Sequence, residues 1–493
     1  MKKKIFVLCV IATLIFTSFF GKELGIKAQS NMLDYCHFGI NNPYPFSNDY
    51  DMTLLGVDSY INWSVSSDPL EPQNYEHIKV LRVRNDVYNA TKANLPAQLS
   101  VYPGAIWIIG NEPDTRFENQ DNLIPEVYAQ RFLEISEIIR TNDPNALIGF
   151  APIVQPTPIR ILYLELVINE MNRLLENSET SISDTFDIWT IHSFLLHEAK
   201  RITIDRKVTY VEGWGTGLPP GVDPILFDEE HQPMNLDYDW DLTHSISLFR
   251  ELIINFRQWI HDKGLGDKPL WITEYGSLMP FTHIPEYKTI EYMLDTFNFL
   301  LSAKDPFIGF AIDDYRLVQK WYWYSLNGDI FDKGGSLYNS DLIEETSVGR
   351  NFRQYNADST IVDEKAPDFE PISVESISPI RYSSETGKVD YLVIIRVRNQ
   401  VSADHSSDFE INLFDEVDNL LSSGSGTTVR CAGDGLARLF ISAIPGTEIT
   451  NLNIVVSSAD LPDVNFENNS LIFPNETIFD GLPKLVFVPL LTK

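Results

Sequence analysis

Short apolar runs recur along the first 340 or so residues, each followed by a segment with a different periodicity. Eight runs stand out, at 38–41, 57–63, 78–83, 106–110, 147–153, 186–194, 270–274 and 307–312. They are rich in Ile, Val and aromatic residues and too short for helices, as expected of strands buried on both faces. Between them, residues 125–140, 159–175, 242–262 and 284–301 place apolar positions three and four apart, which predicts helices. Pro125 and Pro285 suit first-turn positions, where a missing N–H costs nothing, and Gly264 suits a helix stop. Strand and helix alternating eight times predict a (β/α)8 TIM barrel over 36–355. One connection is long. Residues 195–241 carry Gly213, Gly215, Gly217, Pro219, Pro220 and Gly221, a large loop with short elements of its own. Loops after strands build a barrel's active site, so this one is expected to shape a cleft.

Beyond Tyr355 the pattern changes. Residues 356–371 are polar, acidic and interrupted by Pro367, which predicts a linker. From 372 to 480 only strands are expected, including 388–398, 408–414, 436–443 and 452–457, with Gly, Ser, Asn and Asp between them. That spacing predicts a smaller all-β, immunoglobulin-like sandwich, with an apolar tail at 481–493.

The N-terminus opens with Lys2, Lys3 and Lys4, then an apolar run at 5–20 and a small residue at Ala28. This predicts a signal peptide over 1–28, and hence a secreted or cell-surface protein without membrane insertion once it is cleaved. Cleavage removes five lysines and Glu23, moving the formal charge from −31 to −35. So many carboxylates repel phosphate backbones, which argues against a nucleic acid partner, whereas a neutral glycan meets no such penalty. A monomer is expected. Cys36 and Cys431 fall in different predicted domains and are expected to be free thiols, although an oxidising compartment permits a disulfide. No Cys/His cluster has zinc spacing, so neither a metal nor another cofactor is expected.

Two carboxylates stand out by position. Glu112 follows the fourth run in Trp107-Ile108-Ile109-Gly110-Asn111-Glu112-Pro113-Asp114, and Glu274 ends the seventh in Ile272-Thr273-Glu274-Tyr275-Gly276. Strands four and seven face each other across a barrel mouth, so these side chains are placed to converge, and glycoside hydrolysis requires such a pair. The first stretch resembles the strand-four signature of the clan A glycoside hydrolases, and the second resembles their strand-seven signature. The resemblance implies that Glu112 is the acid/base, that Glu274 is the nucleophile of a retaining enzyme, and that Asn111 contacts a sugar 2-hydroxyl. A poly- or oligosaccharide, β-linked, is the implied substrate.

Other residues are candidates for substrate binding. His192 follows the sixth run, where the clan often places a His or Tyr, while Phe194 stands in place of a hydrogen-bonding Tyr. The nucleophile's phenol partner is thus unidentified, with Tyr275 a possible substitute. Trp214 in the long loop, and Trp321 and Trp323 after the eighth run, are candidate stacking surfaces for sugar rings, whose C–H faces are apolar; Asp313 and Asp314 could bind hydroxyls. Residues 461–469 resemble the terminal strand of CARDB-type adhesion modules, which implies an accessory role for the sandwich. A second reading is a carbohydrate-binding or adhesion protein whose barrel does not turn over; the intact pair of glutamates with Asn111 favours the enzyme.

Overall fold

The computed structural model describes residues 36–46, 50–68, 70, 75–328, 334–339, 344–358, 366–401, 406–431, 433–444, 451–459 and 462–474. The expected signal peptide and the C-terminal tail lie outside these. The described residues form two compact units. One runs to Tyr50 and resumes over Ser59–Asn351; the other combines Asp51–Asp58 with the chain from Phe352 onward.

The first unit is a closed barrel of eight parallel strands. Around it run β1 (Phe38–Asn41), β2 (Ser59–Ile61), β3 (Glu76–Leu81), β4 (Ile106–Ile109), β5 (Leu147–Ile153), β6 (Ile188–His192), β9 (Leu270–Gly276) and β10 (Lys320–Tyr324). Ile61, Ile78, Val80, Ile106, Ile108, Ile188, Trp271 and Tyr322 fill its interior. Helices α1 (Tyr88–Val101), α2 (Pro125–Asn142), α3 (Pro158–Leu175), α5 (Ile246–Asp262) and α6 (Glu286–Ser302) cover its outside, and α4 (Ile182–Thr185) is a single turn before β6. Among the described residues no α-helix follows β1 or β2, so the strand–helix alternation expected along the whole barrel is incomplete in its early units. Gly264 closes α5 in a left-handed conformation, φ +72°, as a helix stop requires. The long connection after β6 carries an exposed hairpin, β7 (Lys200–Ile204) and β8 (Lys207–Val211).

The eighth strand corrects the sequence reading. Residues 307–312 form a turn and a short 3-10 helix, with Phe307 81% exposed and Ile312 also at the surface. The strand is Lys-Trp-Tyr-Trp-Tyr instead, paired to β1 on one side and β9 on the other. An apolar composition did not make the first segment a strand: Ile308 and Phe310 are buried, but the backbone bonds locally, Gly309 N–H to the Asp305 carbonyl and Phe310 N–H to the Arg316 carbonyl, and joins no barrel strand. The aromatic segment is covered on both faces, with Tyr322 toward the barrel interior and Trp321 and Trp323 toward the helices.

The second unit is a two-sheet antiparallel sandwich. One sheet joins β11 (Phe369–Ser383), β12 (Lys388–Asn399) and β15 (Asp434–Ala443); the other joins β14 (Leu420–Thr428), β13 (Ser407–Phe414), β16 (Asn451–Ser458) and β17 (Ser470–Pro474). Alternate residues of β12, from Val389 to Val397, meet Phe409, Ile411, Leu413, Leu439, Ile441, Leu452, Ile454 and Val456 in one core. The acidic and amide residues of 462–469 act as a clamp. Asp463 accepts the Phe369 N–H at 2.9 Å and the Asn469 amide at 3.1 Å, fixing where β11 begins. Within the same unit, Arg396 pairs with Asp51 at 2.9 Å and Asn356 donates to the Leu55 carbonyl at 2.7 Å. Cys36 and Cys431 are each disulfide-bonded, not the free thiols expected. That expectation rested on chain position, which sets no limit on where a thiol lies in the fold.

Candidate active site

The loop leaving β4 is shaped by its backbone. Gly110 adopts φ +96°, and a Cβ there would press on the Tyr128 ring at 3.0 Å. Asn111 and Val83 both donate their backbone N–H to Asp121 Oδ2, at 2.8 and 3.1 Å, while Arg82 Nε donates to Oδ1 at 2.9 Å. Burial raises the Asp121 carboxyl above its ordinary pKa, against the pull of Arg82 and the two N–H groups. Arg82 is therefore a strut for the Asn111 loop, and Arg84 pairs outward with Asp86 at 2.9 Å.

Glu112 itself sits at φ +43°, a left-handed conformation that costs a non-glycine residue roughly 1–3 kcal/mol. Its N–H is held by the Pro152 carbonyl at 2.9 Å. Pro152 lies on β5 beside Ala151, which is also left-handed at φ +71°, where the β5–β6 register shifts. Two adjacent strands thus carry matched distortions. Such strain persists only where its surroundings over-determine it, and it gathers at functional sites.

Opposite, β9 presents Glu274 next to His192 of β6. His192 Nδ1 lies 2.9 Å from Glu112 Oε1, and its Nε2 lies 3.3 Å from Glu274 Oε1. One imidazole therefore joins the two carboxylates, and all three side chains are buried. Burial alone would lower the histidine's pKa. The charges of Glu274, Glu112 and Asp114, with the hydrogen bond to Glu112, outweigh it and hold the imidazole above its ordinary value. Glu274 has a second partner in Trp63, whose indole N–H donates to Oε1. Trp63 is left-handed at φ +55° and packs against Tyr324, which packs in turn against Phe194. Burial first, then Glu274 and Glu112, raise the Tyr324 phenol.

Glu112, His192 and Glu274 each bring one donor atom within 4.8 Å of the others, close enough to hold a metal ion. The imidazole argues for a proton there instead. Both of its nitrogens face carboxylate oxygens, and a ring nitrogen facing a carboxylate is best satisfied as an N–H, not as a bare lone pair.

The structure brings Glu112, Glu274, Asn111 and His192 together and scatters the other candidates. Asn111 is buried beside Glu112, its amide donating to Gln120 at 2.6 Å. Tyr275 points away from the carboxylates, packed between Phe249 and Trp323. Trp321 and Trp323 are fully buried, the first against His37 and Phe38, the second against Phe297, so neither offers a sugar-binding face. Asp313 pairs with Arg316, and Asp314 sits in an exposed left-handed turn beside Lys304. Trp214 is better placed. It stacks on His197 and lies 4.6 Å from Trp240, which lies 4.6 Å from His283, and Tyr238 beside them is 71% exposed. Trp214 also packs against the cluster of Val154, Phe194 and Leu196, as does Tyr324, so an apolar band leads from Trp63 to this ledge. The sequence reading missed Trp63 and Asp114 as parts of the site; the signal was position alone, Trp63 ending an apolar run and Asp114 two residues past Glu112.

No protein-family model and no curated protein sequence matches the chain. Among solved structures it is similar to a GH128 (subgroup I) endo-β-1,3-glucanase from Amycolatopsis mediterranei, in complex with laminaripentaose, at 12% identity. That alignment covers 64% of this chain and 98% of the other, with a TM-score of 0.39. It is similar to a GH128 (subgroup VII) oligosaccharide-binding protein from Cryptococcus neoformans at 12% identity, covering 65% and 93%, with a TM-score of 0.40. A glucosidase from Croceicoccus marinus aligns at 9% identity over 83% of this chain and 96% of its own, with a TM-score of 0.39.

Proposed function

We propose that the chain is a retaining glycoside hydrolase acting on a β-linked poly- or oligosaccharide. The observation that carries this reading is the pair of buried glutamates from opposite sides of one barrel, bridged by His192, with carboxylate oxygens within 4.8 Å. Retaining enzymes hold their two carboxyl groups about 5–5.5 Å apart, and inverting ones need about 6.5–9.5 Å to admit water. In this reading Glu274 attacks the anomeric carbon as Glu112 protonates the departing glycosidic oxygen, leaving a covalent glycosyl-enzyme. Water then enters on the Glu112 side, Glu112 takes its proton, and the bond to Glu274 breaks with the original anomer restored.

His192 and Trp63 give this sequence its control. Across 2.9 Å, the proton that Glu112 must deliver is shared with the imidazole, which keeps an acid available beside a carboxylate that must stay ionised. The Trp63 N–H orients Glu274, and its hydrogen bond weakens as the carboxylate's charge is consumed in the bond to the anomeric carbon, where positive charge develops in the transition state. The ledge of Trp214, Trp240 and Tyr238 suits the apolar C–H faces of further sugar units. Secretion or display at the cell surface belongs to the same proposal, on the basic and apolar N-terminus and the acidic composition. NMR of the first-formed anomer from a cleaved glycan tests the mechanism: retention is expected, and an inverted product refutes it.

A further inference from the structure

We infer that Arg160 is a positioning residue for catalysis, holding the acid/base Glu112 through Asp114 and using the long insertion after β6 as its anchor. The inference rests on the glycosidase reading above. Arg160 lies in the first turn of α3 and is fully buried, yet it touches no part of the carboxylate pair. Its guanidinium reaches two ways. Toward the strand-four loop, Nη1 donates to Asp114 Oδ2 at 3.1 Å and also to the Asp114 carbonyl. Toward the insertion, Nε donates to Glu198 Oε1 at 3.0 Å and Nη2 to the Gly217 carbonyl at 2.6 Å.

Each partner is fixed again from behind. Glu198 Oε1 also accepts from Thr157 at 2.5 Å and Gln155 at 3.0 Å, and its Oε2 accepts the Met234 N–H at 2.7 Å. Asp114 Oδ1 accepts the Val154 N–H at 3.2 Å. Asp114 stands two residues after Glu112, so clamping its carboxylate and carbonyl leaves the intervening Pro113 little freedom. The left-handed Glu112 is thereby held between the Pro152 carbonyl on one side and the Arg160 clamp on the other. A planar fork serves two directions at once, which a lysine ammonium cannot reproduce. Misplacing a reacting group by about 1 Å costs roughly 10²-fold in rate, so a clamp two residues from the acid has leverage on turnover.

A merely structural arginine predicts a different result from a positioning one, and leaving-group dependence separates them. Aryl glycosides of the sugar that the wild type cleaves are compared with two leaving groups, 2,4-dinitrophenol, which departs unaided, and phenol, which needs a proton from Glu112. With the full chain, Arg160→Lys, Asp114→Asn and Glu198→Gln should each lower kcat on the phenyl glycoside by roughly 10²-fold. The loss on the dinitrophenyl glycoside should stay under roughly tenfold, with KM little moved. Arg160→Met would leave two carboxylates buried without their cation and could fail to fold, which is why the isosteric Asn and Gln changes carry the test. Equal losses on both substrates would overturn the proposal, as loss of folded protein depresses them alike. Bias in Asp114→Asn without bias in Glu198→Gln would overturn the anchoring role of the insertion. A wild-type chain inert on both aryl glycosides and on a glycan panel would instead refute the glycosidase reading itself, whatever Arg160 does.

Discussion

Asp114→Asn should change how the barrel's stability responds to pH, and the structure sets the size. Burial pushes the Asp114 carboxyl up to about 6 from 3.8, despite the Arg160 guanidinium beside it, with Glu112 adding to the rise and the Val154 N–H opposing it. The folded chain therefore keeps this proton to about pH 6, while the unfolded chain releases it near 3.8. Across that window the folded state binds more protons, so stability falls as pH rises from about 4 to about 6 and is flat above. A shift of about 2 pH units at about 1.4 kcal/mol each amounts to about 3 kcal/mol. The asparagine variant keeps the shape and has no proton to lose. The unfolding free energy of the wild type minus that of the variant should drop by about 3 kcal/mol between about pH 3.5 and pH 7. All nine tryptophans lie between Trp63 and Trp323, so tryptophan fluorescence in a denaturant titration reports on the barrel unit. A difference that stays constant with pH would refute the buried, raised carboxyl. One that grows with pH would mean that the pull of Arg160 outweighs burial.

Further outcomes follow from the same geometry. Glu112→Gln should still form a glycosyl-enzyme from a dinitrophenyl glycoside, detectable by intact mass, whereas Glu274→Gln should not; equal and small losses would remove both from the mechanism. Trp63→Phe keeps an aromatic ring and removes the N–H to Glu274, so kcat should fall roughly tenfold to hundredfold, the worth of a hydrogen bond to a charged group. An unchanged kcat would show that the indole only packs. Trp321→Ala should cost about 3–5 kcal/mol of stability without a specific change in KM, because that side chain is core. Trp240→Ala should do the reverse, raising KM for long glycans while sparing a simple aryl glycoside and the melting temperature.

The local pattern already carried much of this protein. Burial on both faces makes a parallel strand apolar throughout, so seven barrel strands were visible in the chain, and a charge placed just after such a strand marked Glu112 and Glu274. Alternation did the same for β12, β13, β15 and β16, whose inward positions are apolar because only one face meets the core. Local pattern failed where composition and environment part company. Residues 307–312 are apolar, and Ile308 and Phe310 are buried, but their backbone bonds close locally, whereas the aromatic β10, read as a loop of sugar-binding side chains, pairs with two barrel strands and is buried on both faces. In the sandwich, β14 reads Leu-Leu-Ser-Ser-Gly-Ser-Gly-Thr-Thr, a loop by composition, and is a strand because β13 supplies its hydrogen bonds. The partnerships inside the site are of that second kind. Trp63 meets Glu274 across 211 positions, His192 meets Glu112 across 80, and Arg160 reaches Asp114 across 46 and Glu198 across 38. Residue type makes each of these contacts chemically possible, but the closing of the barrel selects the partner, because only the closed ring of strands sets which side chains share a few ångströms at its mouth.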